Sequence, residues 1–123
     1  DGSALQRAEA LRWLSYVNSD LHPAFIPMCA PGKFIEDPAQ YEAIKAAARL
    51  RVRSVLETAE RRLQDRQWLA GFRSFADPYL YMTLRWAGGL GVDLSGLDAL
   101  AAFKSRMDAD AGVQRALKAE GLA

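Results

Sequence analysis

Ser74-Phe75-Ala76-Asp77-Pro78-Tyr79-Leu80-Tyr81-Met82-Thr83-Leu84-Arg85-Trp86-Ala87 decides the fold of this chain. Its first four residues form an S-x-x-D start. The Ser74 hydroxyl is placed to accept from the Asp77 amide, and the Asp77 carboxylate to reach back to the Ser74 amide. That capping box satisfies two donors that a helix leaves orphaned. An acid in the first turn also suits the positive end of the helix dipole. From Pro78 onward the residues are apolar on nearly every side. A helix without a polar face has no solvent side, so a buried central helix is expected, starting near Ser74. Gly88-Gly89 is expected to stop it, because glycine takes the left-handed conformation just past a helix end.

Working outward, Gln67-Trp68-Leu69-Ala70-Gly71-Phe72-Arg73 is too short for a helix and rich in large apolar groups, and reads as a buried connector. Before it lies a long helix. Asp37 is its cap, Pro38 its first position, and Gln40 stands three residues past the cap, as a capping box requires. Tyr41, Ile44, Ala48, Val52, Val55, Ala59 and Leu63 give it an apolar stripe. Arg49, Arg51, Arg53, Arg61, Arg62 and Arg66 fall largely off that stripe. Glu57, Glu60 and Asp65 are interleaved among them and no base-stacking aromatics line that side, so a solvated face is expected there, not a nucleic-acid surface.

The first helix is expected over residues 3–21, with Ser3 as cap and Leu11, Leu14, Asn18, Leu21 and Phe25 at spacings of three and four. Pro23, Pro27 and Pro31 lack amide donors, so a kink near His22-Pro23 and a loop through Ala30-Pro31-Gly32-Lys33 should follow. Downstream, Ser95 and Asp98 repeat the S-x-x-D start, with Leu97, Leu100, Ala101, Phe103 and Met107 facing inward. Asp110 caps a last helix that Gly121 ends. The expected fold class is all-α, a five-helix bundle.

Composition agrees. A length of 123 residues suits one domain, 1–123. Alanine (22) and leucine (16) far outnumber the β-branched residues, which argues against an extensive sheet. A net charge of +1 supplies no overall field to recruit nucleic acid or an anionic membrane. The single cysteine, Cys29, excludes an intramolecular disulfide and a multi-cysteine zinc site, so no metal is expected. No apolar run reaches the roughly 20 residues of a membrane span. With one cysteine and no span or signal segment, a helical protein of a reducing, cytoplasmic compartment is expected. A chain opening on Asp1 instead of Met reads as a processed product, an engineered portion or an excised piece of something longer.

The blocks Arg12–Phe25, Trp68-Leu69-Ala70-Gly71, Ser74–Tyr81, Arg85-Trp86-Ala87, Phe103–Met107 and Glu120-Gly121-Leu122, in this order, resemble the C-terminal helical domain of glutathione transferases, most closely the bacterial beta class. The resemblance implies a thioredoxin-like N-terminal domain, absent from these residues, that binds most of the glutathione co-substrate and carries a catalytic Cys, Ser or Tyr. It implies a homodimer, with a hydrophobic electrophile as second substrate. For His22 it implies a catalytic place facing the glutathione sulfur, where an imidazole hydrogen bond to a thiolate lowers the thiol pKa. Read from its residues alone, His22 is a satisfied histidine at a helix kink. Phe25, Tyr79 and Trp86 match positions that line the electrophile pocket; read alone, they are core aromatics. Trp13 and Tyr81 belong to the core or the subunit interface.

Pro23 and Ser15 stand where the family often has Lys and Asn, which points to altered anion binding or to a thiol-reductase role. Arg73 and Pro78 leave no hydrophobic staple at the Ser74 cap. Asp77 is structural and Cys29 a bystander. The expected function is the helical half of a transferase that conjugates glutathione or exchanges thiols with disulfides. The alternatives are a non-catalytic interaction module of the same fold and a plain helical bundle.

Overall fold

The computed structural model describes residues 2–123, so Asp1 lies outside them. Five helices carry the fold: α1 (Ala4–Tyr16), α2 (Tyr41–Leu63), α3 (Ala76–Gly89), α4 (Asp98–Asp108) and α5 (Ala111–Ala119). No strand occurs among the described residues, and no helix there is long and apolar enough to cross a membrane.

Helix α1 begins with a full capping box. The Gln6 amide donates to the Ser3 hydroxyl at 3.2 Å and the Ser3 amide to the Gln6 side chain at 2.9 Å. The helix does not simply kink at Pro23. It widens first into a π turn over Val17–Leu21, where the His22 amide bonds five residues back to the Val17 carbonyl. Proline offers no amide and its ring crowds the preceding turn, so the wide turn accommodates it. Two short helical turns, His22–Ala24 and Ile26–Cys29, complete the segment.

The π turn also corrects the expected stripe. Leu11 is 55% exposed and Asn18 is exposed, whereas Ala10, Trp13, Val17, Leu21, Phe25 and Met28 are buried. Three successive spacings of four, from Trp13 to Phe25, would drift an α-helical stripe by about 120°. The wide turn takes back roughly one residue of rotation and keeps Leu21 and Phe25 on the side of Trp13.

Helix α2 follows a tight turn, Pro38–Gln40, capped by the Asp37 carboxylate on the Ala39 amide. Gln40 donates to that carboxylate at 3.3 Å, instead of accepting from the Asp37 amide as a capping box would have it. The side chain of Tyr16 fastens α1 to α2 by donating to the Val55 carbonyl at 2.6 Å, and burial pushes its hydroxyl pKa up.

The arginines of α2 are only partly a solvated face. Arg49 donates to the Leu90 carbonyl at 2.9 Å, Arg53 to the Asp93 carbonyl at 2.7 Å, and Arg62 to the Leu69 carbonyl at 2.7 Å. Arg62 also pairs with Glu9 and stacks over Trp13, at 5.0 Å from the ring centre. Each closes an acceptor that a neighbouring connection leaves open.

Helix α3 carries the largest buried share of any helix, with Ala76, Asp77, Leu80, Tyr81, Thr83, Leu84 and Ala87 buried in its fourteen residues. Truncating a fully buried side chain such as Leu80 costs about 2–5 kcal/mol. The helix runs through Gly88 and Gly89 and closes at Gly91, with φ of +73°. The Val92 amide bonds to Ala87 and the Gly91 amide to Gly88, a Schellman closure that needs the left-handed residue one step beyond the helix and its cap.

Helix α4 corrects another expectation. Ser95 does not cap it: the helix starts only at Asp98, with Leu97 at the cap, and the Ser95 amide donates to the Asp93 carboxylate at 2.9 Å. The first-turn amides of Ala99 and Leu100 instead donate to the Glu60 carboxylate at 3.0 and 2.8 Å, so α2 caps α4. Leu97, Leu100, Phe103 and Met107 are buried, while Ala101 is exposed. Asp110 caps α5 through the Gly112 and Val113 amides. Arg73 pairs with the same carboxylate at 2.7 Å, tying the connector before α3 to the last helix where no staple exists.

Candidate functional site

The end of the first helical segment and one face of α3 meet around His22. The π turn delivers His22 and Asn18 to the same phenol. His22 Nδ1 lies 2.5 Å from the Tyr79 hydroxyl, which donates to Asn18 Oδ1 at 3.2 Å. A phenol has one proton, so Nδ1 of His22 donates when that proton goes to Asn18 and accepts when it goes to the imidazole. The other ring nitrogen, Nε2, makes no hydrogen bond among the described residues.

Tyr79 and Trp86 are two helical turns apart on α3 and both touch the imidazole. The His22 ring meets Tyr79 edge-on at 5.7 Å and lies 4.9 Å from Trp86 at 57°. Trp86 in turn meets Phe25 edge-on at 5.8 Å. His22, Phe25, Tyr79 and Trp86 thus form one aromatic group.

Three of the four border a cleft of about 770 Å³. His22, Phe25, Ile26 and Cys29 form one wall; Met82, Arg85, Trp86 and Leu90 form the other. Lys33 and Leu122 complete it, and Arg85 holds Leu122 by donating to its carbonyl at 2.7 Å. Tyr79 does not line this cleft and reaches it only through His22. A space of this size, largely apolar with a few polar tips, suits a flat hydrophobic molecule.

From the sequence Cys29 reads as a bystander and Lys33, Arg85 and Leu122 have no place at the site, yet all four line the cleft. Cys29 and Lys33 stand four and eight positions after Phe25, a helical repeat that would have placed them on its side. Trp13 and Tyr81 lie in the core of this domain; Tyr81 donates to Asp108 at 2.7 Å.

Ser74 and Asp77 stand at the start of α3. One Asp77 oxygen accepts from the Ser74 amide at 2.7 Å and its hydroxyl at 3.3 Å; the other accepts from the Leu69 amide at 3.0 Å. The Ser74 hydroxyl accepts from the Ala76 amide, not from the Asp77 amide as expected. The Asp77 amide goes to the Ser74 carbonyl, so only the Asp77-to-Ser74 half of the expected capping box forms. Asp77 thus locks the buried connector as well as the helix start. Burial pushes its carboxyl pKa above the usual range, against the lowering pull of those amides.

Residues 8–110 match the family described as the glutathione S-transferase C-terminal domain, and the chain belongs to that family. It is 49% identical over 123 residues to the glutathione S-transferase GST-4.5 of Xanthomonas campestris pv. campestris, across 99% of this chain and 60% of that protein. Among solved structures it is similar to the glutathione S-transferase of Xylella fastidiosa (TM-score 0.94, 48% identity, covering all of this chain and 60% of the other). It is also similar to the bacterial beta-class glutathione S-transferase of Sphingomonas chungbukensis (TM-score 0.82, 33% identity, covering 100% and 58%). The chain spans about 60% of the length of these relatives.

Proposed function

We propose that this chain is the helical half of a glutathione S-transferase, working with a thioredoxin-like N-terminal domain that binds most of the glutathione. The observation that carries this reading is the imidazole of His22, oriented by Tyr79 at the border of an aromatic cleft. With Nδ1 donating to the phenol, Nε2 is the basic nitrogen. It takes the proton of the glutathione thiol and the resulting imidazolium holds the thiolate, which favours the charged sulfur. The thiolate attacks an electrophilic carbon of a hydrophobic substrate seated against Phe25 and Trp86, and the leaving group departs with its electron pair. Thiol–disulfide exchange at a cysteine of the partner domain is the other reaction such a site serves. A homodimer in a reducing, cytoplasmic setting belongs to the same proposal.

The test compares the intact protein with its His22→Ala variant on a chloronitrobenzene-type electrophile. Loss of one hydrogen bond to a charged sulfur predicts a drop of about tenfold or more in kcat/KM, with the pH profile moved to higher pH. An unchanged rate and profile would remove His22 from the mechanism. No conjugation by the intact wild type would favour the interaction-module reading.

A further inference from the structure

We propose that the cleft selects an amphipathic organic anion, an aromatic body bearing a carboxylate or sulfonate, as its second substrate. The inference rests on the transferase reading above and narrows it. Two cations, Lys33 and Arg85, line an otherwise apolar space, and no carboxylate lines it. Among the described residues neither Lys33 nor Arg85 forms an ion pair, and Arg85 donates to the neutral Leu122 carbonyl. The acid whose carboxyl feels Arg85, Asp108, is engaged by Lys104 and Tyr81 at 2.7 Å each. A neutral aromatic gains at most a cation–π contact from these cations, with no ion pair. An anionic one stacks its body on the Trp86 and Phe25 wall and lays its charge between them. Unpaired charge beside an apolar space acts mainly as a selector among ligands of similar shape.

The probes are anilinonaphthalene sulfonate and phenylnaphthylamine, which share one ring system and differ in the sulfonate. Both are titrated into the intact protein and its Lys33→Gln, Arg85→Lys and Lys33→Gln/Arg85→Gln variants. Each removed charge should weaken the sulfonate about threefold, so the double variant loses about tenfold. Phenylnaphthylamine should stay within about twofold, and Arg85→Lys should resemble wild type because the charge remains. Added salt should weaken only the sulfonate. Glutathione affinity, measured in the same variants, should not move.

Equal weakening of both probes, or of neither, overturns the proposal. A loss that appears for glutathione instead also overturns it, because the cations then serve the tripeptide's own carboxylates. If neither probe binds, the proposal is overturned, while conjugation by the intact protein still decides the transferase reading by itself. If only the charged probe responds but the intact protein conjugates nothing, the anion site stands and the transferase reading alone fails.

Discussion

The imidazole Nδ1 of His22 and the hydroxyl of Tyr79 stand 2.5 Å apart, on segments separated by 57 positions in the chain. The same hydroxyl lies 3.2 Å from Asn18 Oδ1, and where it gives its proton sets which nitrogen of His22 is basic. Tyr79→Phe should therefore release the tautomer with little loss of stability, since both side chains are partly exposed. Nitrogen chemical shifts of the imidazole should report Nδ1–H in the wild type and a mixture in the variant. In the intact protein kcat/KM should fall about fivefold. An unmoved tautomer would break the link between Tyr79 and the site.

Asp77 is buried and serves two backbone amides. Replacing it with alanine strands the Leu69 and Ser74 donors and should cost about 3 kcal/mol in urea unfolding. Asp77→Asn keeps one acceptor oxygen and should lose about half as much. A loss below about 0.5 kcal/mol in the alanine variant would show that water replaces the carboxylate.

Glu60 should behave as a cap despite lying in the middle of another helix. Glu60→Ala is expected to destabilise by about 2 kcal/mol. Hydrogen exchange at Ala99 and Leu100 should accelerate more than at Phe103 or Met107. Uniform acceleration through α4 would contradict a local capping role.

Asp110 gives the fold an acid-side weakness at its end. The Arg73 partner and the α5 amides hold its carboxyl pKa below the ordinary Asp value. A lowered folded pKa contributes stability that is complete above the unfolded value of about 3.9 and disappears as pH falls through the lowered one. Amide exchange in α5 should accelerate below about pH 4, ahead of α3, and Asp110→Asn should flatten that dependence. Equal acceleration in both variants would assign the acid loss elsewhere.

Gly91 and Gly88 should respond oppositely to alanine. At Gly91 the positive φ makes a side chain cost about 1 kcal/mol. Gly88 is helical with open space around it, so alanine there should gain about 0.5 kcal/mol. Thermal unfolding of the two variants checks the sign of each.

What was legible in the sequence follows from how local each cause is. The position of helix α3 could be read from its apolar run behind an S-x-x-D start, but not its half-exposed side, where Tyr79, Met82, Arg85 and Trp86 lie. The Asp110 and Ser3 caps could be read because cap and amide are neighbours. The Glu60 cap could not, since its partners lie about forty positions away and only the fold brings them together. The same holds for Arg49, Arg53 and Arg62, whose acceptors lie outside their own helix. At the site, His22, Phe25 and Trp86 were named through a family resemblance. Lys33, Arg85 and Leu122 come from three separate segments, and no spacing rule joins them.

The wide turn at Val17–Leu21 couples two features that look independent on the page. Dropping one residue there would straighten the segment and press the Pro23 ring into the backbone behind it. Swapping Pro23 for alanine would remove the obstruction while the surplus residue stayed behind. Length and proline are thus a matched setting, and anyone transplanting this corner into a sister scaffold must move both or leave the imidazole misaimed.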